Sequence, residues 1–247
     1  MPMAKSHSDV EGLDMKGRRF LVVWVCVVSL LILSCESKEK KIESLTIQLN
    51  DRSVEVRRAA AVKLSHIGGA AAVPALMKAL NDESESVYSV VSETLVKMGE
   101  PAIPALIRGL SEISVESFDD GPRSLDVLVQ MGEPAVPALV KALDDKNVGI
   151  RFRAVTALAR IGQPEEVVID ALTKAVHDPE NLVCAVAVMA LGEIGEPAKR
   201  AVPAIANALN SSDDTLRIAA DAALAKIGTP EAWEAVREYR YHKIKLR

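Results

Sequence analysis

The stretch "PAVPALVKALDDKNVGIRFRAVTALARIGQ", Pro134 to Gln163, decides the fold. In its first half Val136, Leu139, Val140 and Leu143 fall at offsets of three, one and three, which lines one face of a helix. Asp144, Asp145, Lys146 and Asn147 then break the periodicity with turn-forming residues, since Asp and Asn side chains bond to nearby backbone. The second half resumes with Ile150, Ala154, Leu158 and Ile161 at offsets of four, four and three. Gly162 ends it, because glycine takes the left-handed conformation that closes a helix. No run alternates with period two, so a strand reading fails. The stretch reads as helix, short polar turn, helix.

Working outward, its terminal glycine belongs to a series: Gly68, Gly99, Gly132, Gly162, Gly195 and Gly228, spaced by 31, 33, 30, 33 and 33 residues. A leucine lies four residues before each (Leu64, Leu95, Leu128, Leu158, Leu191, Leu224) and an Ile or Met immediately before. Pro101, Pro134, Pro197 and Pro230 each follow such a glycine by two residues. Self-similarity at this period means stacked supersecondary units, each unable to bury its apolar face alone. The spacing predicts units at about 40–69, 70–100, 101–133, 134–163, 164–196 and 197–229. A last helix, 230–247, follows Thr229 as N-cap with Pro at its first position. Its charged residues suit a cap whose outer face meets water.

The units resemble HEAT repeats, in particular the short, Ala-rich variety named after phycobilisome lyases, with a signature of Leu-x-Asp, turn, then Val-Arg-x-x-Ala-Ala-x-x-Leu-x-x-Ile-Gly. It maps onto Leu143, Asp145, Ile150, Arg151, Ala154, Val155, Leu158, Ile161 and Gly162, and onto Leu49, Asp51, Val56, Arg57, Ala60, Ala61, Leu64, Ile67 and Gly68. The resemblance covers roughly Lys40 to Arg247. It implies an all-α, right-handed α-solenoid of about six helical hairpins plus a C-terminal capping helix, with second helices lining the concave side.

Departures from the signature carry expectations of their own. The arginine eleven residues before the glycine is present as Arg57, Arg151 and Arg217, but is Tyr88 in the second unit and Cys184 in the fifth. In the family it typically meets an Asp of the inter-helix turn, so those two units are expected to lose a stapling ion pair. The third unit departs most, with "SEISVESFDDGPRS", Ser111 to Ser124, where the second helix should be under way. Proline lacks the amide donor, so that helix is expected to restart at Pro122 with Asp120 as cap. The insertion reads either as a tolerated loop or as a binding loop, loops being frequent carriers of function.

Ahead of the repeats, Lys16, Arg18 and Arg19 precede Phe20 to Leu33, fourteen residues without a charge. That is short for a membrane span of about 20 residues but fits a signal-peptide core. The run leads into Ser34 and Cys35 and resembles the bacterial lipoprotein signal. The resemblance implies a signal peptide over 1–34, a lipidated Cys35 opening the mature chain, and a short linker, 35–39. Met15 followed by Lys-Gly-Arg-Arg makes Met15 an alternative initiator, and an uncleaved signal anchor remains the competing use of the same run.

Removing 1–34 takes four basic and three acidic residues from totals of 30 and 34, leaving 26 against 31. That balance argues against nucleic acid as a partner, since phosphate-backbone binding needs clustered Lys and Arg. The basic C-terminus (Arg237, Arg240, Lys243, Lys245, Arg247) reads as a solvated cap favourable to the helix dipole. Only Cys184 remains in the mature repeats, which leaves no internal disulfide, and its apolar neighbours suit a core thiol. His7, His66, His177 and His242 stand apart, with no His-Glu pair, so no metal and no cofactor is expected. Deoxyhypusine hydroxylases, a HEAT-like enzyme class, build a di-iron site from such pairs. No nucleophile stands beside a paired base, and no glycine loop could cradle phosphate.

Function is instead expected on the second helices, where residues two, six and nine before each glycine share the face opposite the Leu/Ile stripe. In the middle units the polar ones are Glu93 and Lys97; Arg123, Asp126 and Gln130; Arg153, Thr156 and Arg160. A mixed-charge face suits a polar peptide or protein surface better than a small molecule, which wants an apolar cleft. The sequence thus reads as a lipid-anchored, non-enzymatic scaffold of a bacterial cell envelope, facing the periplasm or exterior. The alternatives are a chromophore lyase or isomerase subunit of the kind that named the repeat, and a signal-anchored scaffold.

Overall fold

A computed structural model describes residues 38–67, 69–111, 122–163 and 165–245, with side chains as far as Tyr241. Residues 1–37, with the expected signal peptide and Cys35, lie outside these, as do Gly68, residues 112–121 with Asp120, Pro164, Leu246 and Arg247. Contacts divide the chain into two units, one ending at Ile67 and one beginning at Gly68. Among the described residues every regular element is a helix.

The first unit is a hairpin of α1 (38–48) and α2 (Val54–Ile67). Leu45, Leu49, Ala60, Ala61 and Leu64 are buried in it. The turn is built by Asp51, whose carboxylate accepts from the Ser53 amide at 2.8 Å while its carbonyl accepts from Arg57 at 2.9 Å.

The second unit repeats that hairpin. Its first helices are α3 (Val73–Ala79), α5 (Ile103–Gly109), α7 (Val136–Ala142), α9 (Glu165–Ala175) and α11 (Val202–Ala208). Its second helices are α4 (Glu85–Met98), α6 (Arg123–Met131), α8 (Val148–Ile161), α10 (Asn181–Ile194) and α12 (Asp214–Ile227), and α13 (Pro230–Lys245) closes the series. Four first helices are only seven residues long, with a proline in the opening turn where no amide is needed. Second helices pack in succession, α4 on α6, α6 on α8, α8 on α10, α10 on α12, and α3 packs on α5 and α5 on α7. This is the packing of an all-α helical-repeat solenoid. Leu95, Leu128, Leu158, Leu191 and Leu224, which precede the recurrent glycines of this unit, are all 0% exposed, as is Leu64 in the first hairpin.

Three details differ from the sequence expectation. α6 starts at Arg123 rather than Pro122, whose carbonyl accepts from the Leu125 amide at 2.7 Å from the cap position. The glycines are of two kinds. Gly162 and Gly228 are left-handed (φ 66°, ψ −6°; φ 67°, ψ 9°), but Gly99, Gly132 and Gly195 hold ψ near −135° (−133°, −136° and −140°). Those three precede Glu-Pro, and the changed ψ sends the chain directly into the next first helix, through a short 3-10 turn after Gly132 and Gly195. Pro164 also follows Gly162 by two residues, which adds a fifth member to the proline series.

Tyr88 and Cys184 carry no cation for the expected ion pair, yet the arginine's other partner, a turn carbonyl, keeps a donor in both of those repeats. Arg57, Arg151 and Arg217 donate to the carbonyls of Asp51, Asp145 and Ser211, each six residues back, at 2.9, 3.0 and 2.7 Å. Cys184 makes the same bond through its thiol, to the Asp178 carbonyl at 2.9 Å. In the second unit's turn the matching carbonyl, Asp82, accepts at 2.6 Å from Arg123, on the following second helix. A turn carbonyl drawn out of water needs a donor, and here two residue types, Arg and Cys, supply it.

Candidate interaction face on the second helices

The face begins with the residue two before each glycine of the second unit, which is exposed throughout: Lys97, Gln130, Arg160, Glu193 and Lys226; His66 is exposed at the same offset in the first hairpin. His66 Nδ1 donates to the Val62 carbonyl one turn back, at 2.7 Å, so the ring is held on its own helix. Helical periodicity places the residue six before the glycine beside this row. There Glu93 is exposed, Asp126 and Thr156 are half-buried, and Thr156 donates its hydroxyl to the Phe152 carbonyl at 3.0 Å.

Neighbouring helices bring these charges into register. Arg160 on α8 meets Asp126 on α6 at 2.9 Å, with both side chains close to half exposed. Lys226 on α12 pairs with Glu193 on α10. Lys97 pairs with Glu93 along α4 at 3.5 Å. Exposed pairs of this kind are worth about 0–1 kcal/mol each, so they orient the face more than they stabilise it.

Two residues expected on the face are removed from it by their bonds. Arg153 is buried, 4% exposed, and donates to the Leu110 carbonyl at the end of α5, at 2.8 Å. Burial pulls its guanidinium below the ordinary arginine value. Arg123 reaches back likewise to Leu80, at 3.1 Å, as well as to Asp82, and stacks over the Tyr88 ring with its guanidinium carbon 4.4 Å from the centroid. Burial is the main reason the Tyr88 hydroxyl sits above its usual pKa. Both arginines lie nine residues before the glycine, the depth at which the preceding first helix ends. They clasp one repeat to the last.

The candidate face is therefore Glu93, Lys97, Asp126, Gln130, Thr156 and Arg160. Sequence reasoning had passed over its continuation on α10 and α12. The same offsets applied to Gly195 and Gly228 find Met189, 49% exposed, with Glu193, Ala222 and Lys226.

Elsewhere among the described residues, no group of three or more His, Cys, Asp or Glu side chains could hold a metal ion. No described helix is long and apolar enough to cross a membrane, and Phe20 to Leu33 lies outside the described residues. A cleft of about 520 Å³ between α3 and α5 is lined by Val73, Pro74, Met77, Pro104 and Arg108. A smaller one, about 280 Å³, lies between the turns after α7 and α9 beside Asp144, Lys174 and Asp178.

Hairpins whose second helices stack at a fixed spacing, with one polar row repeated along them, define a helical-repeat solenoid. A family model for HEAT repeats matches residues 42–116, 122–186 and 169–243. The chain belongs to the HEAT-repeat family. No curated protein matches it. Among solved structures it is similar to an engineered protein, at 22% identity over 75% of this chain and 96% of that one, TM-score 0.38. It is also similar to human deoxyhypusine hydroxylase in complex with glycerol, at 20% identity over 84% and 92%, TM-score 0.38. A third is the complex of CpcE and CpcF of phycocyanin lyase from Nostoc, at 25% identity over 58% and 89%, TM-score 0.44. Scores this low carry nothing about activity or partner.

Proposed function

We propose that this chain is a lipid-anchored scaffold of a bacterial cell envelope that holds a protein or peptide partner, without catalysis, on the exposed row of its second helices. The observation that carries the reading is that row itself. Five successive repeats of the second unit keep a polar side chain in the open at one offset, while the leucine two positions nearer the start of the helix is fully buried in each. A mixed-charge surface recognises a polar partner through complementary potential rather than through a deep apolar cleft. Anchoring rests on the charge-free run Phe20 to Leu33 before Cys35. Lipid on Cys35 would hold the repeats at one membrane surface facing the periplasm or exterior.

The intact mass and N-terminal fragments of the chain purified from membranes test the anchor. A mature chain starting at an acylated Cys35 is the expected result; one retaining Phe20 to Leu33 refutes lipidation. A photo-crosslinking amino acid at Gln130, used in cells, tests the face. A discrete adduct that Arg160→Glu abolishes supports docking there, and an adduct indifferent to Arg160→Glu refutes it.

A further inference from the structure

The first hairpin carries an apolar groove with a basic rim. The groove lies between α1 and α2, encloses about 460 Å³, and is walled by Leu45, Val62 and Ile67 with Lys41, Lys63 and His66 at its edge. Val62 is 36% exposed there. Lys41 and Lys63 are both exposed, and among the described residues neither has an ion-pair partner.

Charge along the chain is uneven in the same direction. Residues 38–67 hold seven Lys and Arg against four Asp and Glu, whereas residues 68–247 hold 19 against 26. The first hairpin, unlike residues 68–247 taken together, is a favourable neighbour for an anionic surface. The charge-free run also ends close by, at Leu33, with α1 described from Lys38. Five residues span at most about 18 Å of extended chain, so an anchor at Cys35 keeps this hairpin within reach of the lipid headgroups.

We propose that this groove is a contact site for anionic phospholipid of the membrane that holds the chain, with the headgroup phosphate taken by Lys41 and Lys63 and apolar lipid by Leu45, Val62 and Ile67. The inference rests on the anchoring reading. Lysines near an anionic leaflet each strengthen attachment severalfold, and an apolar face beside them adds burial. The contact would fix the orientation of the hairpin, which a lipid on a short linker alone does not.

The chain purified from membranes, expected to begin at an acylated Cys35, is reconstituted into phosphatidylcholine vesicles doped with phosphatidylglycerol that bears a diazirine in its acyl chain. After illumination, adducts are mapped by tandem mass spectrometry. Adducts on peptides within 38–67 are expected, reduced roughly tenfold or more in Lys41→Glu/Lys63→Glu, while flotation with the vesicles and helicity persist. Should that variant lose helicity, Lys41→Gln/Lys63→Gln replaces it, with a smaller reduction expected. Adducts confined to residues beyond Ile67, or equal yields in wild type and the lysine variant, overturn the lipid contact and leave anchoring standing. A chain that does not float with vesicles overturns the anchoring reading and the inference with it.

Discussion

Arg151 joins two repeats through the most enclosed ion pair of the described residues, and its removal is the sharpest test of how the array holds together. Its Nε and Nη2 donate to the two carboxylate oxygens of Asp178 at 2.7 and 2.9 Å, while Nη1 caps the Asp145 carbonyl. The two side chains are 11% and 6% exposed. The hydrogen bonds to Asp178 outweigh burial and raise the guanidinium above its ordinary pKa. Removing one member of such a pair leaves the other charge enclosed, at a cost of about 3–5 kcal/mol. Arg151→Met should sit near the lower figure, because Asp178 keeps its bond from the Glu180 amide. For a chain of this size 3 kcal/mol corresponds to a fall of roughly 6–12 °C in melting temperature.

Asp178→Asn preserves an acceptor for Glu180 and should cost less, about 2 kcal/mol. The double variant should cost less than the sum, since it removes both charges together. A neighbouring pair supplies the control. Lys174 and Asp144 join the same two repeats at 2.6 Å, but with side chains 59% and 65% exposed, so Lys174→Ala should cost at most about 1 kcal/mol. Urea unfolding followed by circular dichroism measures all four variants, and hydrogen exchange locates the weakened boundary between α8 and α10. Arg151→Met and Lys174→Ala of equal effect, or strictly additive losses at Arg151 and Asp178, would refute the reasoning.

Gly192 should resist enlargement, because a Cβ there would meet Ala223 Cα at 2.7 Å and Cβ at 2.8 Å. Gly192→Ala is expected to lose about 1–3 kcal/mol by overpacking α10 against α12, despite a helix propensity gain of about 1 kcal/mol, and a raised urea midpoint would contradict it. Asparagine visits the left-handed region, so Gly162→Asn should cost under about 1 kcal/mol. Gly132→Asn, at ψ −136°, should cost about 1–3 kcal/mol, and equal melting temperatures would deny the two classes of glycine. Burial is the leading cause that raises the Cys184 thiol above its ordinary pKa, keeping it protonated on mildly alkaline solution. Iodoacetamide at pH 8.5 should modify it only in urea; fast modification of the folded chain would show it to be accessible.

The repeat architecture was legible because it rests on burial, which sequence periodicity reports directly. Leu64, Leu95, Leu128, Leu158, Leu191 and Leu224 recur at one offset because a hairpin has one place where a branched side chain is enclosed on all sides. The Asp of the turn was legible too, since Asp51, Asp82, Asp145 and Asp178 each accept from the amide two residues on. What the pattern hid was the donor to the turn carbonyl. Arg151, Cys184 and Arg123 do one job from different places in the chain, and an offset rule sees only two of those as equivalent. The glycine series hid a second distinction, because one letter serves two backbone conformations.

The face was partly legible, and the error at Arg153 has a physical source that sets the final prediction. Residues two, six and nine before the glycine share one side of an isolated helix, but the preceding first helix ends beside the innermost of them. A long side chain there finds a carbonyl before it finds solvent. The column's other occupants already hinted at this, since Val90, Val186 and Ala219 are not solvent residues. Reversing Arg153 would set a carboxylate against the Leu110 carbonyl in a buried site, at a cost on the order of 3–5 kcal/mol. Reversing Arg160 breaks only a half-exposed pair with Asp126, about 1 kcal/mol or less before any new repulsion. Arg160→Glu should therefore keep the wild-type melting temperature within a few degrees while losing the Gln130 adduct. Arg153→Glu should lose both together, so loss of binding there says nothing about a face. If Arg160→Glu melts as low as Arg153→Glu, the row two before the glycine is part of the packing and is no docking surface.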